Sequence, residues 1–466
     1  VKKQVFKAAF AAGVVGVLSA SLVACSGLTG SSGSSGGSDS GSKADPNAKV
    51  TITVGDEPTA DEPAAVAQFK KSVAAFEKLY PNITVKPSTE TWEAQTFNAK
   101  LAAGTLPDTM GVSLTYSQQL IQNHQLPNMT PYLKQLGMLS ELNPLAAKQA
   151  EDRAGNIYTL PYGLFQVGLS YNRKIFSEAG LDPNKPPSTW AEVQRDAKII
   201  HQKVPKVAGY AQLTTNNTGG WMLTAMTYSM GGRVLNDQGT KTTFGPATTQ
   251  ALQLLHDMRW NDDSMGSQFL YNQDQIRQTF SAGKIGMVLQ APDIYGQATF
   301  TYGMKAADFG QTAMPQANGT NGTLTGGTIA MFNAKATPNQ LLAAARWVKY
   351  EQFQQYFDKN LAIANAKANE HSVNPPGEPG LPPVSDAVNE RYLGWIKPYI
   401  SIPLQNFSGY TSANLKLVPE PFDAQQVYAD LDPVVQKILT DKNANIAETL
   451  ASASKTINGQ LGQMSH

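Results

Sequence analysis

The sequence predicts an α/β protein of two or three domains. Three observations carry that expectation. The chain has 466 residues, 41% of them hydrophobic, which is ample for more than one core. Its folded part opens with a strand–helix–strand pattern between Val50 and Val85. Strand-like runs then alternate with helical ones through the middle, the signature of the α/β class.

The elements follow in order. Val50, Ile52 and Val54 alternate with Thr51 and Thr53, a strand that ends at Gly55-Asp56-Glu57-Pro58. Val66, Phe69, Val73, Phe76 and Leu79 recur every three or four residues and predict one face of an amphipathic helix. Tyr80-Pro81-Asn82 stops it, and Ile83 to Val85 is a second strand, expected parallel to the first. Met110 to Val112 reads as another strand end, and Asn156 to Pro161 as a strand and turn. Phe165 to Tyr171 reads as a single strand running into a helix at Asn172. Ser188 or Thr189 offers an N-cap with an acidic first turn at Glu192. Ala251, Leu254, Leu255 and Met258 share a helix face, Ile285 to Leu289 is a buried strand, and Thr328 to Phe332 is another. The C-terminal third is mostly helical, with proline interruptions from Pro375 to Pro383.

The N-terminus points to secretion. Lys2, Lys3 and Lys7 precede an uncharged run, Ala8 to Ala24, which is too short for the roughly 20 residues of a membrane span. It ends Leu22-Val23-Ala24-Cys25, which resembles the bacterial lipobox. That resemblance implies a lipoprotein signal peptide over 1–24 and a diacylglycerol on Cys25, placing the protein at the cell membrane, lipid-anchored on the extracellular face. Of the 17 residues from Ser26 to Ser42, 14 are Ser or Gly, so 25–48 is expected to be the lipidated Cys and a flexible tether.

Charge and motifs exclude several functions. There are 37 Lys+Arg and 36 Asp+Glu, a net charge of +1, and no basic excess that would suggest nucleic acid. The one cysteine excludes a disulfide within the chain and a thiolate zinc site. The five histidines lie more than four residues apart, and no metalloprotease helix, EF-hand or Walker loop occurs, so neither metal nor cofactor is expected. A tethered glycan hydrolase stays open as an alternative, because two carboxylates about 5–10 Å apart across a cleft leave no sequence signature.

What remains is a set of aromatic and polar residues at predicted strand ends, where open α/β sheets bind ligands. They are Glu57, Trp92, Tyr116, Phe165, Asn217, Trp221, Asp293, Tyr295 and Gly327. Aromatic faces cover the C–H faces of a sugar ring, and Asp and Asn pair with its hydroxyls. Gly219-Gly220 before Trp221 is read as letting backbone and ring come close to a ligand. Trp190, Trp260 and Trp347 fall inside helical patterns and are expected in cores.

Several segments in order resemble the extracellular solute-binding proteins of ABC-type sugar importers, family 1, the group that includes maltose-binding protein. They are Ala103 to Asp108, Gly155 to Tyr162, Tyr171 to Phe176, Pro187 to Trp190, Gly231 to Val234, Phe280 to Lys284 and Thr325 to Thr328. The resemblance implies a two-lobed, periplasmic-binding-protein-like (type II) fold with the ligand cleft between the lobes. It places 49–164 and 328–375 in the N-terminal lobe, and 165–327 and 376–466 in the C-terminal lobe. It further implies a monomeric, non-catalytic receptor that passes a sugar, an oligosaccharide by expectation, to permease subunits in the membrane. A non-sugar solute in the same fold is the other alternative. Where the family often has Gly-Pro-Trp, this chain has Ala291-Pro292-Asp293, which removes a stacking ring and leaves Tyr295 as its expected replacement.

Overall fold

The computed structural model describes residues 44–464 except 62, 94 and 95, so the expected signal segment, Cys25 and the Ser/Gly stretch lie outside the described residues. Order begins a little earlier than expected. The amide of Asp45 donates to Asn339 at 2.8 Å, and Arg346 and Asn82 both donate to the carbonyl of Pro46. The last residues of the expected tether are therefore pinned to the fold.

Among the described residues, ten strands, β1 (Val50–Val54), β2 (Ile83–Pro87), β3 (Thr109–Ser113), β4 (Leu160–Gln166), β5 (Gly168–Asn172), β6 (Ala208–Ala211), β7 (Ile285–Gln290), β8 (Phe309–Ala313), β9 (Thr323–Phe332) and β10 (Leu417–Pro419), form two sheets. The first has the order β10-β9-β3-β1-β2, with β4 on the other edge of β9. β1 and β2 pair in parallel, Val50 opposite Ile83, joined by the helix Pro63–Leu79 as the hydrophobic spacing predicts. Successive residues of β9 feed opposite faces of this sheet. Ala330 and Phe332 join one core, and Ile329 and Met331 join the other. The first of these cores holds Trp347, whose ring meets Phe76 edge-on at 5.2 Å and Phe69 at 5.9 Å.

The second sheet has the order β6-β7-β5-β8. Every residue of β7 is buried, as expected for a central strand covered on both faces. Its core includes Leu169, Tyr171, Tyr210, Met287 and Phe309. Thr189 and Glu192 form a reciprocal capping box at the start of the helix Trp190–Lys203, which seats Trp190 in this core with its indole N–H on Ser229 at 2.9 Å. Trp260 is half-buried and donates to the carbonyl of Ile438.

The chain passes between the sheets along β4–β5 and β9. The expected single strand Phe165–Tyr171 divides at Val167, whose amide donates to Leu324 on β9 at 2.9 Å. β9 is longer than expected and starts at Thr323, so its first residues pair with β10 and its last with β3. One expected boundary moves. Residues just after 375 do not join the second lobe: Leu381 bridges to Leu164, Val384 bridges to Leu142, and Val384 and Val388 sit in the first lobe's core. The second core resumes at Ile402 and Phe407. The proline-rich stretch carries no periodicity that would have placed it.

Candidate ligand site at the facing strand ends

In the first lobe, β1 delivers Gly55 and Asp56 to the end of the sheet. A Cβ on Gly55 would lie 2.7 Å from Met110 and 2.8 Å from the Glu90 carbonyl, so the strand leaves through a space that admits only glycine. Asp56 then takes a left-handed turn, φ +62°, and its carboxylate accepts the Gly111 amide at 2.6 Å. Burial pushes the Asp56 pKa up, and that amide opposes the rise. Around it Trp92, Gly111, Tyr162, Gly327 and Thr328 line a depression of about 360 Å³. Gly327 has φ +150°, and a Cβ there would lie 2.3 Å from the Gly163 carbonyl, so no other residue fits this crossing point.

In the second lobe, Phe165 at the end of β4 meets Trp221 edge-on, 6.1 Å between centroids. A Cβ on Gly326 would touch the Phe165 ring at 2.7 Å and Glu420 Oε2 at 3.2 Å. The ring and the carboxylate therefore share the space above one glycine. Tyr428 donates to the other Glu420 oxygen at 3.1 Å, and burial lifts the Glu420 pKa to about 7. Asp423, at φ +48°, starts the helix Ala424–Thr440; burial and then Asp430 raise its pKa to about 6. The dipeptide Gly326–Gly327 thus joins the two halves. The indole N–H groups of Trp92 and Trp221 are both buried with no acceptor among the described residues. Such groups cost free energy until something accepts from them.

The expected site residues fare differently. Trp92 and Gly327 line the depression, and Phe165 and Trp221 form the platform beside it. Tyr116 is only 4% exposed, with Phe97 at 4.7 Å and Trp92 at 5.9 Å, so it supports Trp92 from behind. Burial, then the charge of Asp423, pushes its pKa to about 12. Asn217 holds the entry to the helix Thr218–Ser229: its amide donates to Asp432 at 2.8 Å and its side chain to Gln425 at 3.2 Å. Glu57 donates its amide to Ser88, while its neighbour Asp56 is the residue that reaches the depression. Asp293 is half-exposed and paired with Arg277.

Two expectations are corrected. Tyr295 does not replace a cleft ring. It is 1% exposed and packs on Phe309 at 5.2 Å and Phe407 at 5.5 Å, because the short helix beginning at Ile294 turns it inward. Gly219 and Gly220 do not open a path for a ligand. Added Cβ atoms would lie 2.8 Å from Asp432 and 2.3 Å from the Tyr428 carbonyl, so these glycines let the helices Thr218–Ser229 and Ala424–Thr440 touch. Asp56, Tyr162, Thr328, Glu420 and Asp423 were missed. Asp56 had a signal, one place before Glu57 at a strand end; Glu420, between two prolines, had none. A larger hollow of about 650 Å³, between Trp190, Gln194, Pro246 and Gln253, lies between helices and receives no strand end.

Comparison with known proteins gives the family and the fold. The profile of the family described as bacterial extracellular solute-binding protein matches residues 59–351, more than half of the chain. A binding protein of Brucella abortus (strain 2308) is 25% identical over 275 residues, 57% of this chain and 65% of its own length. The sn-glycerol-3-phosphate-binding periplasmic protein UgpB of the same strain is 24% identical over 206 residues, 42% of this chain and 45% of its own. The chain thus spans less than two thirds of these curated relatives. Among solved structures, the sugar-binding protein MalE from Xanthomonas citri is 18% identical with a TM-score of 0.67, covering 89% of this chain and 98% of that one. UgpB from Mycobacterium tuberculosis, in complex with glycerophosphocholine, is 16% identical with a TM-score of 0.67, covering 90% and 100%. At these identities the two structures show the shared two-lobed α/β fold.

Proposed function

We propose a function from one premise: the chain belongs to the family of bacterial extracellular solute-binding proteins. It is a non-catalytic receptor that takes a saccharide between its lobes and hands it to the membrane permease of an ABC importer. The observation that carries this reading is the pair of half-sites joined through Gly326–Gly327, with Trp92 on one and Phe165–Trp221 on the other. Such faces suit the C–H surfaces of a sugar ring, and the unpaired indole N–H groups suit its oxygens. Structural neighbours described as a cyclic α-maltosyl-1,6-maltose binding protein from Arthrobacter globiformis and a chitin oligosaccharide binding protein support a sugar.

Calorimetry over mono- and oligosaccharides tests the reading. At least one should bind at micromolar or tighter affinity, and a panel without any binder overturns it. The receptor is held at the extracellular membrane face by lipid on Cys25, the only cysteine, set at the end of Leu22-Val23-Ala24. Cys25→Ser should release the protein from the membrane fraction or leave it as precursor.

A further inference from the structure

Several helices of this chain open on a cap drawn from their own sequence. Thr189 with Glu192, Asn272 with Gln275 and Thr337 with Gln340 form reciprocal capping boxes before Trp190–Lys203, Gln273–Ser281 and Pro338–Val348. The helix that carries Trp221, Thr218–Ser229, opens differently. Its N-cap residue Asn217 is left-handed, φ +68°, and so is Asn216 before it, φ +58°. A side-chain cap needs extended backbone at that position, so Asn217 does not close its own turn. Its side chain donates to Gln425 at 3.2 Å instead.

The missing cap comes from the helix Ala424–Thr440. Asp432 Oδ2 accepts the Asn217 amide at 2.8 Å, and Oδ1 accepts the Gly220 amide at 2.8 Å. The carboxylate is 7% exposed, and among the described residues no cation pairs with it. The positive end of the helix is its counter-charge. Burial lifts the Asp432 pKa, and the amides of Gly220, Asn217 and Gly219 oppose the rise. One turn further along, Gln436 donates to the Thr214 carbonyl at 2.7 Å. One helix thus holds both ends of the segment that leads from β6 to Trp221. Two successive left-handed residues other than glycine cost free energy and persist only where neighbours hold them.

We propose that Asp432 is a positioning residue of the solute site. It acts through Trp221, holding the first helical turn so that the ring stays edge-on to Phe165 with its indole N–H unpaired. The Trp221 amide closes that turn on the Asn217 carbonyl at 3.1 Å, so ring and cap share one turn of backbone. Without the carboxylate the amides of Asn217 and Gly220 lose their acceptor, the turn frays, and the indole is free to find a partner away from the platform. The consequence for affinity rests on the saccharide reading above; the placement of the ring does not.

The test joins a spectroscopic readout to a binding cycle on the full chain. In protein carrying 15N-labelled tryptophan, the indole signal of Trp221 is identified by its loss in Trp221→Phe. Asp432→Asn keeps the size of the side chain but turns an NH2 group toward the amides, and should shift or broaden that signal. The signal of Trp190, whose indole rests on Ser229 at the far end of the same helix, should stay in place. For the sugar that binds most tightly in the calorimetric panel, Asp432→Asn should weaken binding about fivefold to tenfold. In a Trp221→Ala background the same substitution should change affinity less than about twofold. If Asp432→Asn does not fold, Gln436→Ala, which frees the Thr214 carbonyl, should move the Trp221 signal in its place. A Trp221 signal unmoved in the folded variant, or a loss of affinity equally large without the Trp221 ring, overturns the positioning role and leaves the saccharide receptor standing. A panel without any binder overturns the saccharide reading, and the indole signal then decides the role of Asp432 by itself.

Discussion

Trp221 and Tyr295 both follow strands at the same end of the second lobe's sheet, Trp221 after β6 and Tyr295 after β7. By sequence they are equivalent candidates for a ring over a ligand. The structure separates them. Tyr295 is 1% exposed between Phe309 and Phe407, and Trp221 is half-buried against Phe165 with an indole N–H that has no partner. The cause lies in the segment that follows each strand. After β6 the chain runs through Thr214 to Asn217 before its helix starts, and Asn217 and Gly220 give their amides to Asp432, which fixes Trp221 on the first turn. After β7 the chain turns into a helix at Ile294 at once, and the next side chain falls inside. An aromatic at a strand end is therefore a ligand contact only if the first helical turn points it out of the core.

The comparison makes a paired prediction. Tyr295→Ala should cost about 3–5 kcal/mol of stability by opening a cavity between the Phe309 and Phe407 rings. In the fraction that folds, solute affinity should be close to wild type, as read by denaturant titration followed by calorimetry. Trp221→Ala should do the reverse, costing about 2 kcal/mol of binding, roughly thirtyfold in affinity, with the smaller change in melting temperature. Trp347→Ala, in the first lobe's core, is the matched control and should behave like Tyr295→Ala. Equal losses of stability in Trp221→Ala and Trp347→Ala, with affinity intact in Trp221→Ala, would place Trp221 in the core and remove the distinction.

A smaller effect sharpens the same contrast through pH. Glu420, beside the platform, has a folded pKa of about 7 against an ordinary 4.5, raised by burial. The folded protein then holds this proton where the unfolded chain has released it. Stability from this group is full below about pH 4.5 and is lost as the pH rises through about 7, by at most about 1.4 kcal/mol per pH unit. Glu378, lifted to about 8 by burial and then by Asp293, adds a slope of the same sign. Chemical denaturation between pH 5 and 8 should show stability falling, and Glu420→Gln should flatten part of the fall. A wild-type profile that is level or rising would show that Glu420 is solvated.

Much of the fold was legible because it depends on local pattern. Alternation placed β1, three- and four-residue spacing placed the helix Pro63–Leu79, and Thr189 with Glu192 announced a cap that the structure closes. Trp190 and Trp347 fell in cores as their helical settings implied. The break at Val167 and the early start of β9 were not legible. Both follow from which strand lies beside them, and apolar residues suit either arrangement.

By itself, then, the sequence determined the α/β class, the order of the main elements and four residues that gather at the half-sites, Trp92, Phe165, Trp221 and Gly327. Periodicity, caps and strand ends are encoded within a few residues, so they survive being read one segment at a time. Only the tertiary structure decided that Asp56 and not Glu57 borders the depression, that Tyr295 is core, and that Gly219–Gly220 serve helix contact. It alone brought Glu420 over Gly326, from a segment 94 positions further along the chain. Burial, charge balance and the space above a glycine are properties of neighbours brought together by packing, and no local pattern records them.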